Sequence, residues 1–183
     1  KAEKIKCHLG GGELTRVSPD YLQQEGFASK VHIRMYQTVH KEVEEVFDEL
    51  INEKQSTYDW SIEEDYHLTN RHRIKAIADF LDTLPKDNTL ILCHPQLGKI
   101  LSEHLKCECI NDEINVDQRA EWLTGFDGDG FRIAASYGTS GTGLSINRIY
   151  QLVLIDVGKN ETNIMQGIGR GMRLDGERNF VDV

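Results

Sequence analysis

Two arginines stand three residues apart in Gln166-Gly167-Ile168-Gly169-Arg170-Gly171-Met172-Arg173, with glycine at every second position from 167 to 171. On a helix this spacing projects Arg170 and Arg173 from one face as a paired cationic prong, a shape suited to an anion. Glycine inside a helix costs roughly 1 kcal/mol relative to alanine, so the segment is a poor helix on propensity alone. Close approach of its backbone and guanidiniums to a ligand or another domain would offset that cost. A plainer account stands beside it: a helix ending in glycine, with arginines complementing the negative end of its dipole.

Two further stretches carry groups that could meet a phosphate. Ser136-Tyr137-Gly138-Thr139-Ser140-Gly141-Thr142-Gly143-Leu144-Ser145 is rich in glycines and hydroxyls, which suits contact through backbone N–H groups and side-chain oxygens, although such clusters also make ordinary loops. His94-Pro95-Gln96 follows an apolar run. A basic group, Arg71, His72, Arg73 and Lys75, opens an expected helix against the dipole preference; it is either a solvated face or a phosphate contact. The chain has no Gly-x-x-x-x-Gly-Lys-Ser/Thr loop, and Gly167-x-Gly169-x-Gly171 has the wrong third spacing for a dinucleotide fingerprint. Phosphate-facing parts are present without a nucleotide cradle. Cys7, Cys93, Cys107 and Cys109 lack paired metal-ligand spacing. They are expected to be free thiols of a reducing compartment, with no metal site.

The elements that must position these groups follow from periodicity. Ser18-Pro19 is a plausible cap and first turn for a short helix closed by Gly26, and the alternation over Val31–Tyr36 predicts a strand. Val43, Val46, Phe47, Leu50 and Ile51 fall at helical spacing, predicting an amphipathic helix over 40–54. Residues 55–64 are polar and read as a loop. A helix capped by Thr69 or Asn70 follows, with Ile74, Ile77, Ala78 and Leu81 on its buried stripe. After Pro85 strands and helices alternate: strands over 89–94, 108–110, 131–136 and 150–156, and helices over 96–105, from about Asp117, and from a cap at Thr162. Near-continuous apolar strands interleaved with helices predict a doubly wound, mainly parallel α/β sheet with helices on both faces. In such sheets ligands gather outside the carboxyl ends of the strands. His94–Gln96, Ser136–Ser145 and the arginine helix are expected to converge there.

Composition narrows the class. With 183 residues, 39% hydrophobic and 28% charged, the chain reads as a soluble globular domain, and no apolar run approaches a membrane span. A net charge of −9 argues against a generic coat for nucleic acid but leaves room for a local basic track. The chain lacks an initial methionine and stops inside a strand pattern over 179–183, so it is expected to be part of a longer protein.

The order of these segments resembles the second RecA-like motor domain of superfamily 2 helicases. Gln166-x-x-Gly169-Arg170-x-x-Arg173 matches the sixth motif of that superfamily. Ala135-Ser136-Tyr137-Gly138 through Thr142-Gly143-Leu144-Ser145-Ile146 matches the fifth, and Thr89–His94 with Gly98-Lys99 resembles the fourth. The Ala-Ser-Tyr-Gly wording and the lead-in Leu68-Thr69-Asn70-Arg71 are most similar to phage UvsW-type recombination helicases. The resemblance covers residues 66–183. It divides the chain into the end of a first motor domain and connector over 1–40, and a second RecA-like domain over 41–183.

What the resemblance implies is specific. Arg170 and Arg173 act as arginine fingers on ATP bound, with Mg²⁺, mainly by the first RecA-like domain of the same polypeptide. Gln166 contacts the nucleotide or the attacking water. Gly143, Ser145 and Gly169 lie on the nucleotide side, although Ser145 stands where many members carry an acid that contacts the ribose. Ser136, Tyr137, Gly138, His94, Gln96, Lys99 and Arg119 form part of a track for duplex or branched DNA. The parent would then be an ATP-dependent DNA helicase or branch-migration translocase in recombination and repair, in the cytoplasm of a phage-infected or bacterial cell. The chain alone would hold neither ATP nor Mg²⁺ and would be inactive. Two alternatives stay open: the motor subunit of a restriction enzyme, and a non-catalytic nucleotide- or phosphate-binding α/β module.

Overall fold

The computed structural model describes residues 4–6, 13–15, 18–36, 60–138, 146–156, 161–173, 178 and 180–183. The helix expected over 40–54, the glycine run at 10–12 and most of the 139–145 loop lie outside the described residues.

A short antiparallel pair, β1 (Lys4–Lys6) and β2 (Glu13–Thr15), stands apart from the main sheet. Helix α1 (Pro19–Gln24) begins where expected, with the Ser18 hydroxyl accepting from the Tyr21 N–H. The main sheet has six strands: β3 (Lys30–His32), β4 (Thr89–Cys93), β5 (Glu108–Ile110), β6 (Arg132–Ser136), β7 (Gln151–Leu154) and β8 (Phe180–Asp182). Their order is β3-β8-β7-β4-β6-β5 and every pairing is parallel. Edge strand β3 belongs to the 1–40 stretch, yet it is hydrogen-bonded into this sheet beside β8. It is shorter than the alternation over 31–36 predicts, because beyond His32 only the Arg34 N–H continues the ladder, donating to Val183 O.

Helices α2 (Trp60–Thr69), α3 (Arg71–Thr83), α4 (Pro95–Leu105), α5 (Val116–Leu123) and α6 (Glu161–Gly171) complete the described architecture. The loop expected over 55–64 is corrected by α2, which starts at Trp60. Its apolar signal is weak: among its described side chains only Leu68 is buried, while the acids Glu63, Glu64 and Asp65 favour the early turns of a helix. Asn70, not Thr69, caps α3, its Oδ1 accepting from the Arg73 N–H at 3.0 Å. Helix α6 starts at Glu161, which places the expected cap Thr162 inside it.

The strand side chains alternate between two cores, as period-two geometry requires. Ile91, Cys93 and Ala134 meet Ile74, Ile77 and Leu81 of α3 and Leu97 and Leu101 of α4 on one face. Leu90, Leu92, Ile133, Ala135 and Leu152 meet Trp122 and Leu123 of α5 and Ile168 of α6 on the other. This is the doubly wound arrangement expected from the pattern.

Candidate functional site

Parallel register brings the first two phosphate-facing stretches together. Cys93 pairs with Ser136 and Leu92 with Leu154, so His94, Tyr137 and Ile155-Asp156 emerge side by side at the carboxyl ends of β4, β6 and β7. His94 caps α4, its Nδ1 accepting from the Gln96 N–H at 3.3 Å, and its Nε2 lies 3.9 Å from Glu64 Oε1. Gln96 and Gly138 are exposed there, whereas Ser136 is only 4% exposed. Tyr137 is half-buried and its hydroxyl donates to Ile155 O at 2.9 Å. Burial, then the nearby Cys93 thiol, pushes that phenol well up from its ordinary value, so it stays a hydrogen-bond donor.

The arginine helix departs from the expected convergence. Gly167 faces Leu92 and Leu154, late in their strands, whereas Gly171 faces Val181. Val181 is next to Asp182, which is in register with Gln151 at the start of β7. Thus α6 begins near the carboxyl edge and runs back across the sheet, carrying its arginines toward the opposite end. His94–Gln96 and the described start of the second stretch, Ser136–Gly138, share the carboxyl edge, whereas α6 starts near it and runs away from it. The reason is geometric: a helix joining parallel strands must return toward their amino ends, and its 11 residues span about 16 Å at 1.5 Å per residue.

Along α6, Thr162, Met165, Gln166 and Gly169 form an exposed stripe, and Arg173 beyond the helix end is exposed too. Arg170 is half-buried, not fully exposed as a paired prong would have it. Desolvation, then the charge of Arg173, lowers the pKa of its guanidinium, so the two cations feel one another. The backbone beyond the helix is tied down: the Ser29 N–H donates to Met172 O at 2.9 Å and its hydroxyl to Arg173 O at 3.4 Å.

The remaining basic candidates are spread out. Lys99 on α4 is exposed and bonded to Glu113 at 2.8 Å, and that hydrogen bond raises its pKa. Arg119 is half-buried on α5, whose Trp122 and Leu123 pack on the other face of the sheet. Gly143 and Ser145 lie outside the described residues.

Several important side chains carried no distinguishing signal in the sequence. Arg73, grouped by sequence with a cluster read as a solvated face or a phosphate contact, is 6% exposed, while Arg71, His72 and Lys75 are exposed. Its guanidinium donates to Asp156 Oδ1 at 2.5 Å and to His67 O at 2.9 Å. Asn88, fully buried before β4, holds Phe126 O and Gly128 O with its amide nitrogen and the Phe131 N–H with its oxygen. Cys93, Cys107 and Cys109 are unpaired thiols. Among the described residues no group of three or more His, Cys, Asp or Glu side chains could hold a metal ion, and no helix is long and apolar enough to cross a membrane.

Comparison with known proteins is consistent with this architecture. The model of the helicase conserved C-terminal domain matches residues 72–175. Among solved structures, T4 UvsW is 26% identical with a TM-score of 0.52, over 74% of this chain and 29% of that one. The C-terminal part of the Fun30 ATPase domain is 17% identical with a TM-score of 0.51, over 74% of this chain and 46% of that one. A fragment described as an HsdR subunit of a type I restriction enzyme from Vibrio vulnificus is 13% identical with a TM-score of 0.56, over 88% of this chain and 33% of that one; these last two show the fold alone. The chain thus spans between 29% and 46% of the length of the three structures it resembles. No curated protein matches it.

Proposed function

Since the chain belongs to the helicase conserved C-terminal domain family of superfamily 2, with its RecA-like fold, we propose that it is the second motor domain of an ATP-dependent DNA helicase or translocase. In this proposal Arg170 and Arg173 are arginine fingers for ATP held on a first RecA-like domain of the same polypeptide, and Gln166 and Gly169 line that cleft beside them. The observation that carries it is the outer face of α6: Gln166, Gly169 and Arg173 are exposed, with Arg170 half-desolvated next to a second guanidinium. Two neighbouring guanidinium forks suit a polyphosphate, which each can grip through two N–H donors. Guanidiniums aimed at transferring phosphoryl groups stabilise charge that develops in the transition state.

The described residues suit an anion partner and contain no cluster of three or more His, Cys, Asp or Glu that could hold a metal ion; the metal and the phosphate cradle are assigned to the first domain. When bound there, ATP supplies the phosphoryl group. This chain's part is to bind and neutralise it. Gln96, Gly138 and His94 at the carboxyl edge are proposed to face a DNA backbone, with Lys99 and Arg119 at its margins. Ser136, buried, and Tyr137, half-buried with its hydroxyl donating to Ile155 O, serve that edge from beneath. Gly143 and Ser145 are proposed to couple the cleft to the track. Residues 1–40 would bring in the connector from the first domain, and 41–183 the second. Roles in recombination or repair in a phage-infected or bacterial cell belong to the same proposal.

In the full-length protein Arg170→Ala should lower DNA-stimulated ATP turnover by about 10³-fold or more while the far-ultraviolet circular dichroism stays unchanged. Wild-type turnover in both Arg170→Ala and Arg173→Ala would exclude the finger role. The 183-residue chain alone should bind ATP negligibly; micromolar affinity by titration calorimetry would favour the non-catalytic nucleotide-binding module instead.

A further inference from the structure

We infer that Arg73 is a positioning residue for the arginine helix, acting through Asp156; the functional part of this inference rests on the finger role proposed above.

The buried Arg73 guanidinium joins three elements. Its backbone N–H is held by the Asn70 cap, one guanidinium nitrogen reaches His67 O in the last turn of α2, and another reaches Asp156 just after β7. Asp156 has φ +53°, a left-handed conformation unfavourable for a residue with a side chain, though better tolerated by Asp than by most. The residue before it is fixed on both sides: the Ile155 N–H donates to Leu92 O at 2.9 Å, and Ile155 O accepts the Tyr137 hydroxyl at 2.9 Å. Three elements therefore clamp the chain as it leaves the sheet, five residues before α6 begins at Glu161.

Stability does not account for this ion pair. Only the Arg73 end is buried, the Asp156 side chain being 32% exposed, so solvent weakens the attraction between them; and a cation in the first turn of α3 opposes the helix dipole. A guanidinium does offer geometry, because its rigid fork can grip a carboxylate and a carbonyl at once. Held this way, the exit from β7 sets where α6 starts and hence where Arg170 and Arg173 end. Tyr137 links the same exit to the carboxyl edge where Gln96 and Gly138 are exposed, so a shift at that edge is passed to the arginine helix.

The test is amide hydrogen exchange on the 183-residue chain, read by mass spectrometry. Arg73→Met and Asp156→Asn should each speed exchange of the α6 amides by at least about tenfold and leave β4 protected. The double variant should exchange no faster than either single one, since both changes break one interaction. Arg73→Lys, which keeps the charge but cannot reach both acceptors, should fall between. Unchanged α6 exchange in both single variants, or acceleration that extends equally to β4, would overturn the inference. In the full-length protein the same variants should lower kcat for ATP by about ten- to a hundredfold at unchanged KM. If Arg170→Ala leaves turnover intact, the finger proposal fails, and the exchange measurement still decides whether Arg73 positions α6.

Discussion

Helix α6 has glycine on both of its faces, and the two faces differ in what a side chain there would meet. On the inner face, a Cβ at Gly167 would lie 3.2 Å from both Leu154 and Leu92, and one at Gly171 would lie 3.1 Å from Val181. These two glycines let the helix sit close to the sheet. On the outer face a Cβ at Gly169 would meet nothing within 4 Å. Packing within the chain therefore explains two of the three glycines. The third lowers helix propensity by roughly 1 kcal/mol with no contact among the described residues to compensate, beside Gln166 and a half-buried Arg170. The proposed closure of a first motor domain over that face would account for it.

Substitutions at each face can break this contrast. The largest effect on stability is expected at Gly171→Ala, where Val181, 0% exposed in the second core, has little room to yield. Overpacking of this kind costs about 1–3 kcal/mol, which would show as a lower urea midpoint at unchanged m-value. Gly167→Ala should cost less, because the atoms it would meet are the ends of leucine side chains. Gly169→Ala has the opposite sign: the isolated chain should gain up to about 1 kcal/mol from helix propensity, while the full-length protein should lose DNA-stimulated ATP turnover. Loss of stability at Gly169→Ala, or unimpaired turnover, would remove the distinction between the faces.

A third close-packed glycine extends the contrast to the other side of the sheet and carries the smallest effect. A Cβ at Gly98 on α4 would lie 3.2 Å from the Cys109 sulfur and 3.3 Å from that of Cys93. Tight packing there raises all three nearby thiols, burial being the first cause in each. Cys107 is pushed up to about 11 from an ordinary 9.0. A raised thiol pKa favours the neutral form in the folded state. Its contribution to stability is therefore complete below about pH 9 and is lost as pH rises through about 11. The urea midpoint should fall between about pH 9 and pH 11, and Cys107→Ser should flatten that fall. A profile unchanged by Cys107→Ser would mean that the thiol is no more buried than an ordinary surface cysteine.

The doubly wound fold was legible because parallel strands covered on both faces must be apolar on both faces. Thr89–Cys93, Arg132–Ser136 and Gln151–Leu154 all show this pattern. Asn70, Ser18 and His94 act as helix caps; residue chemistry picked out Ser18 and left Asn70 level with Thr69. Helix α2 escaped notice because few of its residues are buried and a polar helix has no period to detect. Arg73 was misplaced because its neighbours Arg71, His72 and Lys75 share its charge, and only their angular positions on α3 decide which of the four turns inward.

The sequence by itself determined the alternation of strands and helices and the arginine motif, since these depend on residue type and short-range spacing. The tertiary structure alone decided where those pieces stand. It put Gly167 and Gly171 against Leu92, Leu154 and Val181, carried Arg170 and Arg173 away from the carboxyl edge, and joined Arg73 to Asp156, which lies 83 positions further along the chain. Contacts at that separation depend on strand order and helix direction, which local periodicity does not encode.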